Sequence, residues 1–148
     1  MRLAIQRLAH ADGLPLPSYQ TMYSAGLDLG AAIPEDQPLT LLPGERVIVP
    51  TGFVLAVPSG HEGQVRARSG RALREGLAVL NAPGTIDSDF RGELCVLLVN
   101  LGFAPIVIVR GDRIAQVVIA PVCQVSLEEI DTIDPTDRGT GGFGSTGR

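Results

Sequence analysis

No lysine and no tryptophan occur in the 148 residues, and cysteine, histidine and tyrosine appear only twice each. Each shortage closes a class of function. A Walker-type loop needs a lysine to reach the phosphates, so the standard P-loop is excluded. Cys95 and Cys123 stand 28 residues apart within apolar runs. They offer neither a CxxC redox pair nor a zinc framework and are expected to be small core hydrophobes. His10 lies near the start and His61 follows a Pro-Ser-Gly turn, and nothing local joins either one to a catalytic triad. Aromatic residues make up 4% of the chain and charged residues 19%, so the core is aliphatic. That composition often accompanies burial between subunits as well as within them. A net charge of -4 gives no general attraction for nucleic acid or acidic membranes. Long apolar runs are missing too. The stretch 95–121 is interrupted by Asn100, Gly102, Pro105, Arg110 and Asp112, and Arg2 and Arg7 break the first ten residues. A soluble cytoplasmic protein is the expectation.

What is present is glycine and proline, 18 and 11 of them, spaced every several residues. They cut the chain into short β-branched runs with little room for helix. The expected fold is all-β, a jelly-roll-like sandwich or barrel with one short helix and a flexible C-terminal arm. Strands are predicted over 4–8, 26–31, 46–57, 63–67, 77–81, 93–100, 106–109 and 114–122. A short helix is predicted over 69–75 with Ser69 as its N-cap. The length suits one domain. Residues 1–126 form the body, the polar and acidic stretch 127–137 reads as a linker, and 138–148 as a glycine-rich arm.

That arm, from Arg138 through Gly142 and Phe143 to Arg148, mixes glycines, hydroxyls and arginines. Glycine lets successive amides converge on an anion, and arginine adds forked donors. Gly139 to Gly144 matches G-x-G-x-x-G, but a dinucleotide fold needs a strand before the pattern and a helix after it, and only four residues follow here. A disordered tail has the same composition. Phe143, a single aromatic amid small residues, fits base stacking better than a linker.

Four other groups carry chemistry. Asp87 and Asp89 lie in a turn-rich segment between two apolar strands, where solvated turn residues are common. If the flanking arms pair about Ser88, Asn81 faces Cys95 across a narrow slot whose donors and acceptors suit a pyrimidine edge. Arg68, Ser69 and Gly70 can surround a phosphate or simply open a helix. The wider cluster Arg66, Arg68, Arg71 and Arg74 makes bidentate phosphate contacts plausible. Asp28 interrupts an apolar strand, which costs stability unless it is paired or exposed, and Gln116 does something milder in another.

Taken in order, residues 25–29, 68–70, 84–94, 111–116 and 138–147 resemble the five motifs of the trimeric dUTPases across nearly the whole chain. The resemblance implies a jelly-roll homotrimer with sites shared between subunits. It implies Mg²⁺-dependent hydrolysis of dUTP to dUMP and pyrophosphate, keeping uracil out of DNA and supplying dUMP for thymidylate synthesis. By the same resemblance Asp87 is the catalytic carboxylate that activates water against the α-phosphorus and meets the sugar 3′-hydroxyl. Arg68, Ser69, Gly70 and Gln116 contact phosphate, and Asp28 holds a water of the magnesium ion. Asn81 and the backbone near Cys95 form the uracil slot, with Gly84, Thr85 and Ile86 leading into Asp87. Arg138, Gly142 and Phe143 belong to the closing arm. In one departure Phe90 stands where the family most often has Tyr; the ring that excludes a 2′-hydroxyl is kept and the phenol is lost. The implied partners are dUTP and two further copies of the chain, with no nucleic acid and no membrane.

Two rivals share parts of this pattern. The related dCTP deaminases carry a catalytic glutamate in the strand after the Asp/Phe segment, where this chain reads Cys95-Val96-Leu97-Leu98-Val99, so deamination lacks a proton carrier. A non-catalytic nucleotide-binding module has no need of both Asp87 and a complete arm.

Overall fold

The computed structural model describes residues 1–143 and 145. The parts of the arm at Gly144, Thr146, Gly147 and Arg148 lie outside the described residues. The chain runs β1 (Ala4–Arg7), a 3-10 turn (Ala9–Ala11), β2 (Leu27–Gly30), β3 (Leu39–Leu41), β4 (Arg46–Pro50), β5 (Phe53–Ala56) and β6 (His61–Arg66). It continues through α1 (Ser69–Glu75), β7 (Leu77–Val79), β8 (Gly84–Ile86), β9 (Cys95–Asn100), β10 (Ile106–Ile108) and β11 (Arg113–Pro121). All strand pairs are antiparallel. A four-stranded sheet in the order β2-β11-β6-β8 and a three-stranded sheet β4-β9-β7 are completed by the ribbons β1-β5 and β10-β3. Their inward residues, among them Leu29, Leu55, Val96, Leu98, Ile114 and Val117, form one buried aliphatic cluster. The expected β-sandwich with one short helix is the fold observed.

The strand expected over 46–57 is two strands, because the chain changes sheet in the middle. Thr51 is fully buried and donates both its amide and its hydroxyl to the Leu94 carbonyl, at 3.2 and 2.6 Å. Gly52 follows with φ of +75°, and a Cβ there would stand 2.1 Å from the Ala11 methyl. Only glycine turns the chain at that spot. β3 and β8 were not anticipated. Each has three residues, and β8 lies in a segment read as a turn.

Helix α1 has the expected bounds but a different cap. Arg68, at φ -86° and ψ 121°, is the N-cap and gives no side-chain cap bond. Ser69 is therefore the first helical residue, and its exposed hydroxyl is not consumed by capping. Gly76 closes the helix in the left-handed region, beneath the Gly102 amide, which would lie 2.3 Å from any added Cβ. No helix among the described residues is long and apolar enough to cross a membrane.

Candidate functional site

The β2-β11-β6 part of the sheet sets Asp28 opposite Gln116 and Gln116 opposite Arg66. Directly paired residues share a face. Asp28, interrupting its apolar strand, is paired twice: its Oδ2 lies 3.2 Å from Arg68 Nε and 3.1 Å from Arg113 Nη1. The carboxylate is only 10% exposed, so two guanidiniums hold a nearly buried charge. They leave one net positive charge on the floor of a cleft of about 310 Å³ lined also by Ser69, Gly70 and Gln116. Arg68 Nη1 further donates to the Arg113 carbonyl at 3.1 Å.

Arg113 reaches this face through a β-bulge. The pairing of β11 with β2 shifts by one residue between Arg113 and Ala115, and Ile114 and Ala115 are both buried. Strict alternation would place Arg113 and Gln116, three residues apart, on opposite faces; the extra residue restores Arg113 to the side of Asp28. Gln116 donates Nε2–H to the Ala67 carbonyl at 3.0 Å. Its Oε1 fills the space a side chain at Gly26 would need, 2.2 Å from an ideal Cβ. Gly26 is thus a consequence of Gln116.

Of the arginine cluster expected to meet phosphate, only Arg68 lines this cleft. Arg71 pairs with Glu75 at 2.6 Å and with Asp112 at 3.6 Å, fastening α1 to the loop before β11. Arg66 donates to Gln64, and the guanidinium of Arg74 lies over Gly70.

Asp87 lies elsewhere. β8 leaves the β7-β9 hairpin to pair with β6, and Asp87 follows at the far edge of the four-stranded sheet. Phe90 N–H donates to the Asp87 carbonyl at 3.2 Å, closing a turn that Arg91 fastens with bonds to the Ser88 and Phe90 carbonyls, both 2.8 Å. Asp87 is exposed in a second cleft, of about 580 Å³, with Thr85, Asp89 and Glu62. The Phe90 ring, 41% exposed, rests on Gly92, where a Cβ would lie 2.5 Å from the ring. Asn81 packs its amide on buried Gly84, 3.1 Å from an ideal Cβ.

The slot differs from expectation by one residue. β7 pairs Leu77 with Asn100 and Val79 with Leu98, and Leu80 N–H donates to Leu97. That register carries Asn81 toward Val96, while Cys95 faces Pro50 on β4. The segment around Ser88 is not a simple hairpin tip, because β8 has left for the other sheet. Cys95 and Cys123 are both exposed and not core residues. Partial desolvation of the Cys95 thiol, reinforced by the nearby Glu93 charge, still raises its pKa above the ordinary thiol range.

Two groups of predicted residues are therefore assembled separately. Asp28, Arg68, Ser69, Gly70 and Gln116 come together, Asn81, Gly84, Ile86, Asp87 and Phe90 share the opposite region, and three strand spacings, about 14 Å, divide the edges. In the arm, Arg138 Nε donates to the Gly141 carbonyl at 3.0 Å and Phe143 is fully exposed. Arg113 carries no signal of its own in the sequence: it lies inside residues 111–116, and its partner Asp28 is 85 positions away.

A model of the dUTPase family matches residues 12–147. The deoxyuridine 5'-triphosphate nucleotidohydrolase of Sinorhizobium medicae is 58% identical over 145 residues, 98% of this chain and 91% of that protein. The protein of the same name from Methylocella silvestris is 59% identical over 147 residues, 99% and 92% of the two chains. The dUTPase of Staphylococcus bacteriophage 80alpha, solved with dUPNHPP, shares the fold at a TM-score of 0.84 and 24% identity, covering 99% of each chain. A mutant dUTPase of phage phi11 of S. aureus, in which a structural Mg(II) ion is coordinated, shares it at a TM-score of 0.78 and 21% identity, over 89% of this chain and 98% of that one.

Proposed function

The chain belongs to the dUTPase family, and from that premise we infer that it hydrolyses dUTP to dUMP and pyrophosphate. The observation that carries the reading is the cleft over Asp28, where two guanidiniums on one carboxylate leave positive charge for a triphosphate. Arg68, Arg113, Ser69, Gly70 and Gln116 bind and orient the phosphates. Asp87 accepts a proton from the water as its oxygen bonds to the α-phosphorus and the bond to the bridging oxygen breaks, releasing pyrophosphate. Asn81 and the facing backbone of β9 read the uracil edge, aided by Gly84, Thr85 and Ile86. Phe90 packs on the deoxyribose, and its ring face alone excludes a 2′-hydroxyl.

Magnesium fits as a passenger of the triphosphate. Among the described residues no group of three or more His, Cys, Asp or Glu stands together to hold a metal ion, and Asp28 is the single carboxylate lining the arginine cleft. Were Mg²⁺ bound with the nucleotide, phosphate oxygens and waters, the usual donors for this ion, would hold it, and Asp28 would hold one of the waters. When bound, the ion neutralises phosphate charge and makes the α-phosphorus more electrophilic.

The separation of Asp87 from Asp28 supports a homotrimer in which one chain supplies the phosphate cleft and another the carboxylate turn. In this reading residues 1–126 are the body, 127–137 the linker, and 138–148 the arm that brings Arg138, Gly142 and Phe143 over the bound nucleotide. The partner is free dUTP in the cytoplasm rather than nucleic acid or membrane, in keeping with the net charge of -4.

The test is pyrophosphate release from dUTP beside dCTP, dTTP and UTP, with and without EDTA, and light scattering on the same sample. Mg²⁺-dependent turnover of dUTP alone by a trimer is expected. Ammonia release from dCTP, or binding without turnover, overturns the reading in favour of a deaminase or a binding module. Full activity in a monomer overturns the shared site.

A further inference from the structure

Gln20 lies outside every motif that suggested the function, yet it joins the cluster at the cleft floor. Its Oε1 accepts from Arg113 Nη1 at 2.7 Å, the nitrogen that also meets Asp28. Its Nε2 donates to the Ser18 carbonyl at 3.2 Å and lies 3.1 Å from the Ser18 hydroxyl. The amide therefore has a defined direction, donor toward Ser18 and acceptor toward Arg113. Ser18 is tied to the same strand as Asp28, because its carbonyl accepts the Asp28 amide at 3.0 Å. Beyond Gln20 the loop is closed by Thr21 and Ser24, whose hydroxyls lie 2.8 Å apart and whose backbones bond at 3.2 Å. An otherwise exposed loop thus presents one oriented carbonyl oxygen to a guanidinium that is half exposed to the cleft.

We infer that Gln20 is a positioning residue for dUTP: it aims the Arg113 guanidinium at the substrate phosphates while leaving its charge uncancelled. The inference rests on the reading of the Asp28 cleft as the triphosphate site. A long arginine side chain loses several rotors when it binds, and an acceptor that holds it beforehand lowers that cost. A carboxylate would hold it more strongly but would remove the one net positive charge that two arginines over Asp28 leave behind. A neutral amide supplies direction without neutralisation, which is what a phosphate-binding arginine requires.

Steady-state hydrolysis of dUTP with Mg²⁺ by the full chain, at low and high ionic strength, tests this with Gln20→Ala and Gln20→Glu. Gln20→Ala is expected to raise KM about threefold at both salt levels, the scale of an exposed charge-assisted contact. Gln20→Glu is expected to raise it about tenfold at low salt, falling toward the alanine value as screening grows. In both, kcat stays within about twofold, because Arg113 binds phosphate whether or not it is held beforehand. Thermal unfolding of both variants should match the wild type, since the loop residue is exposed. Wild-type KM in both variants, or equal KM in the two at low salt, overturns the inference alone. So does a loss that follows thermal stability rather than KM. Failure of the wild type to hydrolyse dUTP overturns the functional reading and this inference with it.

Discussion

Replacing Gly26 by alanine separates packing from chemistry at this site. The Gly26 backbone lies outside the left-handed region, so alanine is conformationally acceptable there and the perturbation is purely steric. Its Cβ would stand 2.2 Å from Gln116 Oε1, 3.0 Å from Cδ and 3.1 Å from Cβ of the same side chain. Relief to an ordinary carbon–oxygen contact needs a shift of about 1 Å. Because the Gln116 Cδ is also crowded, rotating the terminal amide is not enough; the side chain must change rotamer. It then loses its bond to the Ala67 carbonyl. That bond contributes about 0.5–1.5 kcal/mol and overpacking costs about 1–3 kcal/mol. The lower backbone entropy of an unfolded alanine returns about 0.4–1 kcal/mol. The net destabilisation is about 1–3 kcal/mol, a fall in Tm of about 3–10 °C for a domain of this size. With Gln116 displaced from the phosphate cleft, kcat/KM should fall about 10- to 100-fold, the cost of an ångström-scale misplacement. Thermal unfolding and steady-state kinetics are measured on Gly26→Ala, Gln116→Ala and the double variant. The double variant should recover most of the stability of Gln116→Ala, because Oε1 and Cδ are gone and only the 3.1 Å approach to Cβ remains, but should recover no activity. Wild-type Tm and activity in Gly26→Ala, or a double variant no more stable than Gly26→Ala, would refute the reasoning.

Asp87→Asn keeps the turn, since the bond from Phe90 uses the backbone carbonyl; turnover should drop about 10²- to 10⁴-fold with dUTP still bound, and near wild-type kcat would remove Asp87 from its role. Truncation before Arg138 should leave unfolding of the body intact, because the described arm residues are almost all exposed, while kcat and affinity both fall; Phe143→Ala should reproduce part of the loss. Hydrolysis at the intact rate by the truncated chain would make the arm a mere tail. The Cys95 thiol, raised above its usual range by burial and by Glu93, should be alkylated more slowly than a free thiol at pH 8 and accelerate at higher pH; a rate equal to that of a free thiol would contradict that environment.

Local chemistry is legible in the sequence. Helix α1 has the bounds its sequence indicated, although its N-cap is Arg68 rather than Ser69 and makes no side-chain bond. The all-β class followed from glycine and proline spacing, and the five motifs marked the family because each is a contiguous run. What the tertiary structure decided is long in range. The break between β4 and β5 depends on Leu94 accepting from Thr51 and on Ala11 crowding Gly52, and neither contact is visible in a run of β-branched residues. The β7-β9 register set Asn81 toward Val96 rather than Cys95, and the departure of β8 to β6 put Asp87 at a different sheet edge from Asp28. The bulge before Ala115 turned Arg113 to the face of Asp28. Gln20 met Arg113 from 93 positions away. Backbone preferences are set by nearest neighbours and survive in the sequence. Strand register, sheet choice and the pairing of a buried charge are set by which distant surfaces close on one another, and only the folded chain holds that information.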